Sequence, residues 1–467
     1  MRRLAVLVVA LPLSGCLLGP NYSRPAVPAP PAFRFEMSEA RDTANAAWWA
    51  QFGDPVLEGL IDEALANNLN VKIAAANVQQ AAAVLTQARS PLYPQASYGA
   101  SAAGTRQNEK TGAIYSYEAL AGASWELDLW GRIRRLTEAA RAQVLATEEA
   151  RRGVILSLVS GVANTYLQLR ALDEQLVIAT RTRQAYAESV RLFELQFKHG
   201  VQPQMTVEQA RLQYETAAAA IPQIESQIAQ VENALSVLLG RNPGPVARGQ
   251  AIRALSLPAV PAGIPSQVLE QRPDIRQAEQ QLVAANAQIG AARALYFPSI
   301  SLTGALGIAS LDLGKLFSGP NGTWSYQGSI AGPLFTGGAI KAQVRQTEAA
   351  REAAELAYRA AIQSAFADVD SALVARAKLV EQLAAEGRLV AAAREYSRLA
   401  RLQFDGGVAP YFTVLQAEQQ LFPAELNEVQ LRASLFAATV NLYAAMGGGW
   451  VYEAERRTQP ATPPPPR

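Results

Sequence analysis

The sequence predicts a mainly helical chain with a small membrane β part. Three observations predict it. First, Arg132 to His199 and Ala339 to Asp405 run 68 and 67 residues without a proline, and apolar residues recur there at helical spacing. Second, four shorter segments switch to a period of two. Third, the chain repeats itself: Leu192–Tyr214 and Leu399–Leu421 match at 12 of 23 positions at an offset of 207. The matches include Gly200/Gly407, Val201/Val408, Pro203/Pro410, Thr206/Thr413 and Val207/Val414, and Leu239-Gly240 and Met446-Gly447 keep the same offset. One register for glycine, proline and threonine means a tandem duplication.

Composition narrows the function. A hydrophobic share of 49% and a charged share of 18% exclude intrinsic disorder. With 42 basic and 40 acidic residues the net charge is +2, so no nucleic-acid partner is expected. One Cys and one His leave no material for a zinc site, a disulfide framework or a Cys/His nucleophile pair. Past residue 20 no run of 18 uninterrupted apolar residues occurs, so no transmembrane helix is expected.

The elements follow in chain order. Residues 1–15 read as a signal peptide: Met1-Arg2-Arg3, then an apolar core from Leu4 to Leu13. Leu13-Ser14-Gly15-Cys16 resembles a bacterial lipoprotein box, which makes Cys16 the lipid attachment site and the lipid the one covalent cofactor. Leu17 after it suggests the outer membrane. Residues 16–47, with Pro20, Pro25, Pro28, Pro30 and Pro31, read as a lipidated tether. The first repeat spans 48–240 and the second 265–450, with a Pro/Gly-rich segment over 241–264. Residues 451–467 read as a disordered tail.

Within the first repeat, Pro55 to Tyr93 reads as helix and Arg132 to His199 as a rod of roughly 100 Å. A turn at Gly200–Pro203 and a return helix, Thr206 to Leu239, follow. The second repeat copies this with Ser266 to Phe297, Ala339 to Asp405, the turn Gly406–Pro410 and the return Tyr411 to Met446. Pro222 and Pro423 fall inside the returns, where a kink or altered twist is expected. Gln95 to Ala103, Tyr115 to Leu129, Ser299 to Ala309 and Thr323 to Ile330 alternate apolar and polar residues over the length of a tilted membrane strand. Trp125, Trp130 and Trp324 near strand ends suit a membrane-interface belt. Four strands cannot close a barrel alone, and open edges are not tolerated in lipid. Three copies would supply twelve.

The remaining chemistry-bearing residues read as structural. His199 sits at a turn with no metal partner. Arg272-Pro273-Asp274 reads as a helix start, and Gly447-Gly448-Gly449 as a helix stop. The chain holds no catalytic constellation and is not expected to be an enzyme.

Several short motifs in order carry a family resemblance. They are Gly19-Pro20-Asn21-Tyr22 after Cys16; Trp48-Trp49 with Phe52-Gly53-Asp54-Pro55; Asn67-Asn68; Leu127-Asp128-Leu129-Trp130-Gly131; Arg272-Pro273-Asp274-Ile275; and Phe335-Thr336-Gly337-Gly338. The chain resembles TolC-type outer-membrane efflux proteins, in the lipoprotein branch sometimes called the NodT family. The resemblance implies a homotrimer with a shared 12-stranded barrel in outer-membrane lipids, a long α-helical barrel and a mixed equatorial domain. It implies a periplasmic adaptor and an inner-membrane RND-type pump as partners. The tip turns, Gly200, Val201, Pro203, Gly407, Val408 and Pro410, would dock the adaptor and close the channel at rest. Family members often carry an Asp where this chain has Gln416, so an acidic ring is absent there. Phe412, Thr413, Gln416 and Asp405 remain the candidate aperture. A type I secretion duct and a lipid-anchored periplasmic coiled-coil scaffold are the alternatives, and the four alternating strands argue against the scaffold.

Overall fold

The computed structural model describes residues 17–28, 33, 47–106, 108, 112–260 and 270–458. The signal peptide, Cys16 and the prolines after residue 458 lie outside them. The helices are α1 (Pro55–Asn67), α2 (Leu69–Arg89), α3 (Arg132–Lys198), α4 (Gln204–Leu238), α5 (Pro273–Ala294), α6 (Ala339–Asp405), α7 (Tyr411–Met446) and α8 (Trp450–Thr458). The strands are β1 (Gln95–Thr105), β2 (Ile114–Leu127), β3 (Ser299–Ser310) and β4 (Gly322–Ala331). Both rods are unbroken, and Pro222 and Pro423 sit inside α4 and α7.

The two repeats are not the two compact units. One unit comprises Met1–Val27, Ala76–Glu148 and Gln277–Ala360; the other comprises Pro28–Ala75, Glu149–Arg276 and Ala361–Arg467. The repeats are divisions of the sequence, and these units are divisions of the folded chain. The physical reason is that each unit needs apolar surface from both repeats to bury its own.

In the first unit the strands form one antiparallel sheet of order β1-β2-β3-β4. The β2–β3 ladder, Leu127↔Ile300 to Tyr117↔Ser310, joins the repeats. β2 stops at Leu127 because Asp128 turns the chain. Its carboxylate accepts from the backbone N–H of Ile133 and Arg134 at 3.0 and 2.9 Å, which caps α3. Gly131 supplies the left-handed φ of 77° that this turn requires.

The described part of the tether is not loose. Arg135, 1% exposed, donates to the carbonyls of Leu18 and Gly19 and to Asn21 Oδ1. Asn286 donates to the Pro20 carbonyl at 3.0 Å, and Arg24 and Tyr22 both reach Glu279. Proline removed donors from this segment but left its carbonyls, and buried side chains take those up. Gly19 meets Gly290 so closely that a Cβ would lie 2.4 Å from the Gly290 Cα.

In the second unit an aromatic core gathers both ends of the chain. Trp48 stacks on Tyr443 at 5.5 Å and meets Trp49 and Trp450 edge-on. Trp450 is fully buried at the head of α8, so residues 450–458 are a helix where a disordered tail was expected. Its burial and the ion pair from Arg457 to Asp62 hold α8 in place.

The expected helix from Pro55 to Tyr93 is broken at Asn68. The Asn68 carboxamide oxygen accepts from Asn70 and Val71, while its NH2 donates to the Leu238 carbonyl at 2.8 Å. Asp54 caps α1 and also accepts from the Tyr166 hydroxyl at 2.7 Å and the Gln250 amide. Burial and the Asp54 carboxylate raise the Tyr166 pKa well above the ordinary phenol value.

Candidate functional site: the paired helical tips and the strand sheet

The two tip turns share one geometry. In the first, the Val201 amide donates to the Gln196 carbonyl at 2.8 Å and the Gly200 amide to the Phe197 carbonyl at 2.9 Å. In the second, Val408 donates to Gln403 and Gly407 to Phe404, both at 2.9 Å. These are paired Schellman stops, with φ 72° at Gly200 and 71° at Gly407. Pro203 and Pro410 then open the return helices with ψ of 156°. Thr206 and Thr413 donate to their carbonyls at 3.0 Å. The match at offset 207 is therefore a match of hydrogen bonds. His199 is an exposed turn residue beside them.

The tips pack on each other. Phe193 touches Tyr411 at 4.2 Å and Phe404 at 5.8 Å, over Val207, Ala210, Ala400, Val414 and Leu415. A groove of about 680 Å³ between the turns is lined by Val201, Met205, Asp405, Gly407, Pro410 and Phe412 among others. Phe412 and Gln416 are exposed one turn apart on α7, and Thr413 is half-buried beside them. Asp405 is exposed at the end of α6.

Behind that exposed stripe lies a charged face that sequence reasoning missed. Glu418, Glu425 and Glu428 point inward from α7, each paired with arginine. Glu418 accepts from Arg401 at 2.6 Å. Glu425 lies between Arg181 and Arg394, and Glu428 accepts two bonds from Arg253 at 3.1 and 3.0 Å. Burial raises the Glu418 pKa above the ordinary carboxylate range, opposed by Arg401. Burial and Glu418 push Tyr411 up to about 12. The repeat alignment held the signal. Arg401 and Glu418 occupy the positions of Glu194 and Arg211, which form a 3.0 Å ion pair of opposite polarity.

The sheet has two chemically different faces. Tyr98, Tyr115, Trp125, Ile300, Leu302, Leu306, Trp324, Tyr326 and Ile330 share one; Gln95, Ser97, Ser116, Glu118, Thr303, Ser325 and Gln327 share the other. Trp324 is 73% exposed and stacks on Tyr326. Trp125 is exposed and donates to the Leu92 carbonyl at 3.1 Å. Trp130 differs: it is half-buried, stacks on Phe297 at 4.7 Å and donates to the Pro298 carbonyl at 2.7 Å. Among the described residues no helix is long and apolar enough to cross a membrane, and no group of His, Cys, Asp and Glu could hold a metal ion.

The profile described as "Outer membrane efflux protein" matches residues 60–241 and 264–448. The chain belongs to the outer membrane efflux protein family. The two matched blocks coincide closely with the two repeats. The efflux protein is 38% identical over 475 residues to the probable efflux pump outer membrane protein TtgC of Pseudomonas putida, covering 98% of each chain. It is 38% identical over 450 residues to the cation efflux system protein CusC of Escherichia coli, covering 95% of this chain and 97% of that one. It also superposes on the open-state outer membrane channel MtrE of Neisseria gonorrhoeae with a TM-score of 0.87 at 33% identity, covering 93% of this chain and 99% of that one. Fold and family are those of the TolC-like outer-membrane channels, and the family is not one of enzymes.

Proposed function

We propose that this efflux protein is the trimeric outer-membrane exit duct of a tripartite efflux system. It conducts small molecules passively from a periplasmic adaptor and an inner-membrane RND-type pump. One observation carries the reading. The sheet presents an apolar face and a polar face, and its order leaves β1 and β4 as edges. In lipid such edges must be paired. Second and third copies of the same sheet pair them and close a 12-stranded barrel.

The remaining parts take roles in that duct. The Schellman turns at Gly200–Pro203 and Gly407–Pro410 offer a rigid adaptor-docking end. Phe412 lines the aperture as an apolar constriction, with Gln416 one turn deeper. Cys16 carries a lipid that holds the end of the tether at the membrane, and no other cofactor is needed. Trp125 and Trp324 sit at the membrane interface. The duct transforms no cargo, and energy comes from the pump.

The test is the mass of the purified protein in mild detergent, by light scattering corrected for detergent, followed by conductance in planar bilayers. A trimer whose conductance rises when Phe412→Ala is introduced supports both duct and aperture. A monomer without conductance overturns the duct. A conducting trimer unchanged by Phe412→Ala removes Phe412 from the aperture alone.

A further inference from the structure

The polar face of the sheet is almost free of charge. The four strands contain no lysine or arginine, and their acids are Glu118 and Glu126, both on β2. Both occupy even positions of that strand and so share the polar face with Ser116 and Ser124. Their surroundings differ. Glu126 is neutralised: Arg132 donates to both of its carboxylate oxygens at 2.9 Å. Among the described residues Glu118 has no hydrogen bond or ion pair.

The ladder fixes what stands around Glu118. Ser101 of β1 lies directly opposite on one side and Ala309 of β3 on the other. The diagonal positions are Gly99 and Ala103 on β1 and Gly307 on β3. All are small, so the carboxylate is the tallest group at its level. The charged residues outside the strands that are nearest in sequence are Arg106, Glu109 and Lys110 between β1 and β2, of which Glu109 and Lys110 lie outside the described residues, and Asp312 with Lys315 after β3.

We infer that Glu118, repeated three times around the closed barrel, sets the charge preference of the outer-membrane exit, favouring cations over anions. The inference rests on the shared-barrel reading above. Three unneutralised carboxylates line a water-filled path whose wall is low-dielectric protein and lipid, where field lines are focused. The other strand residues of the inner face are Ser, Thr, Gln, Gly, Ala, Leu and Ile together with the neutralised Glu126, so no strand residue offsets that field. The Debye length is about 8 Å at physiological ionic strength and about 3 Å at 1 M, so the preference weakens with salt.

The test uses Ser101→Cys, the position directly across the ladder from Glu118, in the full-length trimer. Its rates of modification by cationic and anionic methanethiosulfonate reagents are compared, with the parent protein labelled in parallel. The expected preference for the cationic reagent is roughly 3- to 10-fold at about 20 mM salt, shrinking at high salt. In the Glu118→Gln background the ratio falls towards one, and Glu118→Asp keeps it. A ratio unchanged by Glu118→Gln overturns the inference, as does a Ser101→Cys that reacts with neither reagent. Reversal potentials in a KCl gradient give the second readout. A monomer without conductance would sink the shared barrel itself, whereas a conducting trimer whose thiol ratio ignores Glu118→Gln would sink the charge assignment alone.

Discussion

At the scale of single residues, the tip turns rest on two glycines in the left-handed region. A Cβ at Gly200 or Gly407 meets open space, so the cost of Ala there is backbone strain alone. That cost is about 1–2 kcal/mol for an L-residue in this conformation. Gly200→Ala and Gly407→Ala should each speed amide exchange at the adjoining turn while leaving the strands unchanged, read by hydrogen–deuterium exchange. Glu418 makes a different prediction. Its pKa is raised by burial above the ordinary 4.5, so the folded tip holds that proton more tightly than the unfolded chain does. The resulting stabilisation is full below the ordinary value and is lost as pH rises through the raised one. The thermal midpoint of the tip should therefore fall as pH rises above about 4.5. Glu418→Gln, which keeps an acceptor for Arg401, should flatten that part of the profile. An equally steep profile in the variant would place the titration elsewhere.

At the scale of elements, alternation in the strands is the property most open to test. Leu306 stands on the apolar face, 66% exposed, opposite Ala121 and Trp324. Arginine there should cost about 2–4 kcal/mol per chain near the bilayer midplane. Thr303→Arg, three residues away on the polar face, should be tolerated. The yield of heat-resistant trimer on unboiled gels separates the two. Such elements were legible because their periodicity is local: rods, returns, strands and tip turns lie within a residue or two of the sequence reading. The break at Asn68 was not, since it depends on the Leu238 carbonyl, 170 positions away. Nor was α8 against the Pro-rich tail, because Trp450 acquires its meaning only beside Trp48 and Tyr443. The docking of the tether escaped for the same reason: its prolines announced an extended chain, but its partner is Arg135, a buried arginine on α3. Of the candidate site, the turns and the exposed Phe412–Gln416 stripe were readable. The inward carboxylates of α7 were not, because acids in a helical repeat ordinarily face water.

At the scale of the whole molecule, duplication and folding run at cross purposes. Sequence divides the chain near residue 264, yet every compact part straddles that point. The β2–β3 ladder joins one strand from each repeat. The tip core seats Phe193 and Val207 of the first repeat against Tyr411 and Val414 of the second. The aromatic core needs Trp48 and Trp450 together. A half-chain would expose a strand edge, a stripe of tip aromatics and an open tryptophan cluster at once, and burying any one of them requires the other half. Chains 1–264 and 265–467, the second given its own signal peptide, should each be degraded when expressed alone. Expressed together they should assemble into a membrane-extractable particle of six polypeptides with the mass of the intact trimer. The decisive measurement is protease resistance of each half, alone and combined. A protease-resistant 1–264 on its own would mean that the first repeat folds independently, and that the interleaving of the repeats is a feature of the finished molecule rather than a condition for reaching it.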